Sequence, residues 1–354
     1  MFSRNKPLVG IDIGTHSIKV AQLKRAGKSY QLLHFGMMPL KYESIVDGAI
    51  MDPGSVIEGI QNLVRMEKLK SKDVVTAISG QSVIVKKIQV PHMTEDQLRD
   101  SISWEAEQHI PFEISDVNIA FQVVPPPADA QVNNDNQMDV VLVAARKSKL
   151  EDYTSLLAEA GLNPVIVDID VFAIENGYEA SVTANEGVVA LIDIGASAMN
   201  INVLKDGITM FQRDIMIGGN LYNAAIQRQF SVDYAEAEAL KMGVGFTEGR
   251  GPEHVLPVLT TVSEELSEEL LRSFEFFRTT TSEDVINKVV LSGGCARMKG
   301  LDRFLSQRLG VPVELADPFR NIQCNSKVFD PEYLQEIAPV AAVSVGLALR
   351  RIDD

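Results

Sequence analysis

The sequence predicts a mixed α/β protein built from two related domains facing each other, with a compact insert around residues 83–146. Three observations carry this. GIDIGTHSIKVAQLKRAG (10–27) has a weaker echo in LIDIGASAMNINVLKDG (191–207), setting Asp12 against Asp193 and Gly14 against Gly195. Ile18, Val20 and Leu23 then fall against Met199, Ile201 and Leu204, and each copy has the strand, small-residue turn and alternating strand of a β-hairpin. KVVLSGGCARMKGLDRFLSQRLGVPVEL (288–315) reads as a strand, a turn at Gly293 and Gly294, a helix from about Lys299 to Leu309, and a strand. Between these segments, helical and strand periodicities alternate.

In chain order, VIEGIQNLVRMEKL (56–69) has helical spacing, and DVVTAIS (73–79) and VIVKKIQV (83–90) have strand patterns. TEDQLRDSISWEAEQHI (94–110) is a helix in which Thr94 and Gln97 have capping-box spacing, a surface glutamine being the alternative. VNIAFQVVP (117–125) and MDVVLVAAR (138–146) are strands, separated by PPADAQVNNDNQ, a mobile loop by composition. A helix at 149–161, ended by Gly161, and a strand at 165–169 follow. Further helices are expected at 219–230, 234–243 and 262–279. In the last, Val262, Leu266, Leu270, Phe274 and Phe277 form a core-facing stripe. PEYLQEIAPVAAVSVGLALR (331–350) closes the chain as one helix, whose small residues suit close packing against another backbone.

Composition excludes several functions. A net charge of −15, from 33 basic and 48 acidic residues, argues against nucleic acid as a partner. Cys295 and Cys324 give neither a disulfide framework nor a C-x-x-C metal pair, so a reducing, cytoplasmic setting is expected. The N-terminal segment lacks the apolar stretch and cleavage site of a signal peptide. The longest near-apolar run, Ile337 to Leu349, is short of the roughly 20 residues that span a bilayer, so membrane contact is expected only through a partner.

The first turn places Gly14, Thr15, His16 and Ser17 ahead of Lys19. Glycine permits backbone N–H groups to point inward as an anion nest, and the hydroxyls and ammonium add donors. Each hydrogen bond to a charged group is worth about 1.5–3 kcal/mol, enough in combination to hold a phosphate tail. His16 is equally a surface turn residue. Asp12 and Asp193 lie in apolar strands, where an unpaired carboxylate is costly, so each needs a cation or a hydrogen-bond partner. Two facing aspartates suit Mg²⁺ held largely through water; the alternative is that each bonds its own turn. Gly293 and Gly294 let backbone approach a ligand, and Cys295 is expected to be a packing residue beside it.

In this order the three segments resemble the two phosphate motifs and the adenosine motif of the actin-like ATPase superfamily, which includes actin, heat-shock chaperones, sugar kinases, MreB and FtsA. VDIDVFAIENGYEA (167–180) looks like the connecting helix before the second phosphate motif, with Asp170 where many members carry glutamate. AEALK (237–241) matches the A-E-x-x-K that members such as FtsA place against ribose and adenine, which would assign Glu238 and Lys241. The resemblance spans nearly the whole chain. It implies an actin-like, duplicated ribonuclease-H-like fold: a first domain at 1–82 and 147–186 closed by the C-terminal helix at about 332–351, an inserted α/β subdomain at 83–146, and a second domain at 187–331. It further implies ATP held by Gly14, Thr15, His16, Ser17, Lys19, Gly195, Ala196, Ser197, Glu238, Lys241, Gly293, Gly294 and Ala296, with Asp12 and Asp193 holding Mg²⁺ through water.

Within the superfamily, a small early insert is similar to FtsA and to the PilM family of type IV pilus assembly proteins. WEAEQHIPFE (104–113) and LLRSFEFFR (270–278) resemble stretches typical of PilM, and the sequence runs to LRRIDD where FtsA carries a membrane-targeting helix. This resemblance implies a cytoplasmic adaptor, peripheral at the inner membrane through a partner. It would bind ATP between its domains and dock the cytoplasmic N-terminal peptide of PilN near the insert, with pilus motor ATPases and self-association as further expected contacts. Ala196 and Ala198 thin the polar second loop, and Asp170 is the best candidate for a water-activating base, a structural role being the alternative. Tight ATP binding with slow or absent turnover is therefore expected. The other readings are an FtsA-like filament-forming ATPase and a sugar-kinase-type phosphotransferase with Asp168 or Asp170 as base.

Overall fold

The computed structural model describes residues 6–124, 137–182, 187–281 and 285–352. The loop PPADAQVNNDNQ lies outside these residues except for Gln137.

The I-D-I-G repeat in sequence is a repeat in structure. Val9–Ile13 pairs antiparallel with Ser17–Ala26, placing Asp12 opposite Lys19. Val188–Ile194 pairs likewise with Met199–Lys205, placing Asp193 opposite Asn200. A third antiparallel strand extends each hairpin: Ser29–Pro39 in the first and Ile208–Ile215 in the second. On the other side of each hairpin lie two parallel strands, Asp73–Ile78 then Asn163–Ile169, and Lys288–Ser292 then Val313–Leu315. The two sheets thus share one strand order, and the first gains an edge strand, Ile322–Gln323. Their central strands are apolar on both faces because helices cover both sides; Val188–Ile194 is buried at every position except Asp193.

Between the sheets stand two helices, Asp170–Ser181 and Ala342–Leu349. Ala173 and Ile174 from one, and Val343 and Leu347 from the other, share a core with Val75 and Ala77 of the first sheet and Val189, Leu191 and Val290 of the second. Small residues make this contact possible. A Cβ on Gly346 would lie 1.7 Å from the Ala173 carbonyl oxygen, and one on Gly10 would lie 2.3 Å from that of Ser344. The single closing helix expected at 331–350 is instead two, Pro331–Ile337 and Ala342–Leu349, joined by a 3₁₀ turn at Ala338–Ala341. Pro339 has no N–H to donate and so interrupts the α-helical ladder there.

The insert is a three-stranded antiparallel sheet, Val83–Pro91, Gln137–Arg146 and Val117–Val123, covered by helix Glu95–Glu107. Leu98, Ile102 and Ala106 of that helix pack on Val90, Val140 and Leu142, giving the insert a core of its own. Thr94 and Gln97 form the reciprocal capping box. Helix Lys147–Glu159 follows Gln137–Arg146 without a linker, and Val83–Pro91 also packs against Ile208–Ile215 of the second sheet. The long helix Pro252–Thr280 begins well before the expected residue 262, because Pro252 opens it and Val255 extends its buried stripe. Among the described residues, no helix is long and apolar enough to cross a membrane.

Candidate nucleotide site

The turns of the two hairpins meet across a cleft between the sheets. In each, the glycine N–H donates to a carbonyl three residues on: Gly14 to Ser17 at 3.2 Å and Gly195 to Ala198 at 2.9 Å. The hydroxyls of Thr15 and Ser197 are hydrogen-bonded at 2.9 Å, joining the two loops directly. The second loop also rests on the start of helix Gly219–Phe230, whose Gly219 and Asn220 N–H groups donate to the Gly195 and Ala196 carbonyls. Gly293 has φ +89°, and a Cβ there would lie 2.4 Å from the Ile194 carbonyl oxygen, so this turn admits only glycine.

These elements enclose a cavity of about 330 Å³. Asp12, Gly14, Thr15, His16, Ser17, Lys19, Asp170, Asp193, Gly195, Ala196, Ser197, Glu238, Lys241, Gly293 and Gly294 all line it. Ala296 does not: the short turn Gly294–Arg297 sends it into the core of the second sheet, at 3% exposure. Asp168, the other candidate base, is also absent from the lining. It is buried and gripped by Arg350, whose Nε and guanidinium NH₂ donate to its oxygens at 2.6 and 3.1 Å. As the last-but-one residue of strand Asn163–Ile169, it faces the closing segment instead of the cleft.

At one end, Lys241 donates to Glu238 Oε2 at 2.6 Å, and Asn223 Nδ2 donates to the same oxygen at 2.8 Å. Burial alone would raise the Glu238 carboxyl, but Lys241, Asn223 and His16 outweigh it and hold the group below its usual range. Burial lowers the His16 imidazole, with Lys241 and Lys19 adding to the effect and Glu238 opposing it. Cys295 lines this region as a packing residue; burial pushes its thiol up to about 12.

Carboxylates gather towards the other end. Asp12 accepts from Lys19 at 3.0 Å, Asp193 from Ser292 at 2.7 Å, and Asp170 from Ser79. Burial, reinforced by the Asp12 charge, pushes Asp170 up to about 7, and burial pushes Asp193 up to about 6. Among the described residues, no group of three or more His, Cys, Asp or Glu side chains is placed to hold a metal ion directly.

Several lining residues have no counterpart in the sequence motifs. Ser79, Gly80, Lys149, Tyr153, Arg297 and the hairpin Ile45–Ile50 complete the wall. The hairpin had a signal, the Asp47-Gly48 pair between apolar residues, and both adopt the positive φ of its turn. The Gly80 N–H donates to Asp214 Oδ2 at 3.0 Å, tying the start of the insert to the second sheet.

The family model described as type IV pilus assembly protein PilM matches residues 10–352. The chain belongs to the PilM family. A solved PilM-PilN type IV pilus biogenesis complex contains a chain similar to it, at 30% identity and a TM-score of 0.84, covering 99% of this chain and 100% of that one. The fold is shared more widely. The ethanolamine utilization protein EutJ from Carboxydothermus hydrogenoformans matches at 18% identity and a TM-score of 0.56, over 98% of this chain and 92% of that one. MreB5 of Spiroplasma citri bound to AMPPNP matches at 12% identity and a TM-score of 0.54, over 97% and 95%. The actin-like fold is thus shared by this member of the PilM family.

Proposed function

We propose that this chain is an ATP-binding adaptor of the type IV pilus inner-membrane platform. In this reading ATP lies in the cleft with Mg²⁺, and nucleotide state sets the affinity for the cytoplasmic N-terminal peptide of PilN. The observation that carries it is the pair of matched loops, Gly14–Ser17 and Gly195–Ala198, meeting across the cleft at the Thr15–Ser197 bond. Two further features fit a nucleotide. Arg297 Nε at the cavity wall is buried without a hydrogen-bond partner, and a Cβ on Gly294 would meet no atom within 4 Å. The first is a buried donor left unsatisfied beside the cavity, and the second is open space that a ligand would fill.

In this reading the lining residues would divide the work as follows. Lys19 and the amides of Gly14–Ser17 and Gly195–Ser197 would receive the phosphates. Asp12 and Asp193 would order the water around Mg²⁺, which supplies charge neutralisation at the phosphates when bound. Glu238 and Lys241 would meet the nucleoside, with Gly293 and Gly294 beneath it. Asp170, pushed up to about 7 by burial, would be about half ionised near neutral pH in the apo protein, so it remains the candidate base if turnover occurs.

The resulting motion would act between the domains at 1–82 with 147–186 and at 187–331. The insert at 83–146 would follow through Gly80–Asp214, which carries the coupling towards the partner. PilN is supported as partner by the related PilM-PilN complex. A peripheral position at the inner membrane is the setting that such a partner would give it. The test is ATP titration of the wild type and of Asp12→Ala, Lys19→Ala and Asp193→Ala. At least tenfold weaker binding is expected for Lys19→Ala. Unchanged affinity in all three variants removes the nucleotide reading.

A further inference from the structure

Lys149 is a cavity-lining residue that the site described above does not use. It lies in the first turn of helix Lys147–Glu159, where the positive end of the helix dipole disfavours a cation. Burial lowers its ammonium from the usual lysine range. The charges of Asp170 and Asp152 oppose that shift without cancelling it. Its Nζ donates to the Gly48 carbonyl and stands 4.4 Å from the centre of the Tyr153 ring. Its direct contacts are thus a neutral carbonyl and a ring face, with Asp170 and Asp152 as its charged neighbours.

Its position along the cleft gives it a task. It lines the same cavity as both loops, and its charged neighbours are Asp170 and Asp152; Asp170 in turn neighbours Asp12 and Asp193. With the nucleoside at Glu238 and Lys241 and the phosphates on the two loops, the last phosphate of a triphosphate would extend towards Asp170 and its neighbour Lys149. The Gly48 carbonyl it holds belongs to the hairpin Ile45–Ile50, whose Ile45, Asp47 and Gly48 line the same cavity. At the foot of that hairpin, Tyr42 lies 4.0 Å from Tyr234, ring centre to ring centre, at the start of the helix bearing Glu238 and Lys241.

Resting on the ATP reading above, we propose that Lys149 is the ligand that distinguishes ATP from ADP: its ammonium leaves the Gly48 carbonyl for the terminal phosphate, releasing the hairpin Ile45–Ile50. With ADP no phosphate reaches Lys149, and the hairpin stays tethered. The cleft therefore reports the third phosphate through a movable wall that also touches the second domain.

The experiment is calorimetric titration of Mg²⁺-ATP and Mg²⁺-ADP into the wild type, Lys149→Met and Lys149→Arg, with amide hydrogen exchange of residues 44–51 in each nucleotide state. Lys149→Met is expected to weaken ATP about tenfold to a hundredfold and ADP by less than about twofold. Lys149→Arg keeps most of the difference between nucleotides. In the wild type, the hairpin amides exchange faster with ATP than with ADP, a readout that needs no variant. An unchanged ATP-to-ADP affinity ratio in Lys149→Met, equal weakening of both nucleotides, or identical wild-type hairpin exchange in the two states overturns the proposal. A wild type that binds neither nucleotide overturns the ATP reading itself and this inference with it.

Discussion

Asp170→Asn in the apo protein tests the electrostatics of the cleft. Asp170 is raised from 3.8 to about 7, first by burial and then by Asp12 and other carboxylates. The unfolded chain ionises it near 3.8, so between pH 4 and 7 the folded state binds the extra proton. Its contribution to stability is fully present below about pH 4, falls by about 1.4 kcal/mol per unit, and levels off above pH 7, with a total near 4 kcal/mol. Water entering through the cleft makes that total an upper bound. Asparagine removes the dependence. From pH 5 to 8.5 the variant should gain up to about 3 kcal/mol relative to wild type. With an unfolding entropy of about 2.1 cal/mol/K per residue over 354 residues, that corresponds to roughly 4 °C. The assay is a series of thermal melts of both proteins without nucleotide or Mg²⁺ across this range. A constant difference in Tm from pH 5 to 8.5 would refute the account of a buried Asp170 pushed up to about 7.

Two other predictions concern the scaffold. Gly346→Ala places a Cβ 1.7 Å from the Ala173 carbonyl oxygen, where backbone cannot yield. It should cost more than about 3 kcal/mol, seen as a lower Tm or loss of soluble protein, and wild-type stability would contradict the packing described. Arg350→Ala leaves the buried Asp168 carboxylate without its two-point partner. It should lower stability by roughly 3 kcal/mol while ATP affinity changes by less than about twofold. Lost nucleotide affinity at unchanged stability would return Asp168 to the site.

The sequence and the structure agree most closely where chemistry repeats. The I-D-I-G pair foretold two hairpins, and they head sheets of the same strand order because each needs the same apolar strands and the same glycine turn. The apolar stripe from Val262 to Phe277 is the buried face of its helix, since helical spacing alone fixes which residues point inward. Where the outcome depends on distant partners, local pattern was silent. Asp168 and Asp170 are two residues apart in one motif, yet Arg350 claims the first and Ser79 meets the second. Lys149, in KSKLEDY, reads as an ordinary surface lysine until the hairpin at 45–50 folds over it. The break at Ala338–Ala341 was legible in Pro339, but a run of helix-forming alanines masked it.

The central claim is that this cleft governs a partner. Its most direct measurement is the affinity of a synthetic peptide of the PilN cytoplasmic N-terminus for the purified protein, apo and loaded with Mg²⁺-ATP. The account predicts binding in both states, with affinities differing about fivefold or more. Equal affinities would contradict nucleotide gating, and absence of peptide binding in either state would contradict the adaptor itself.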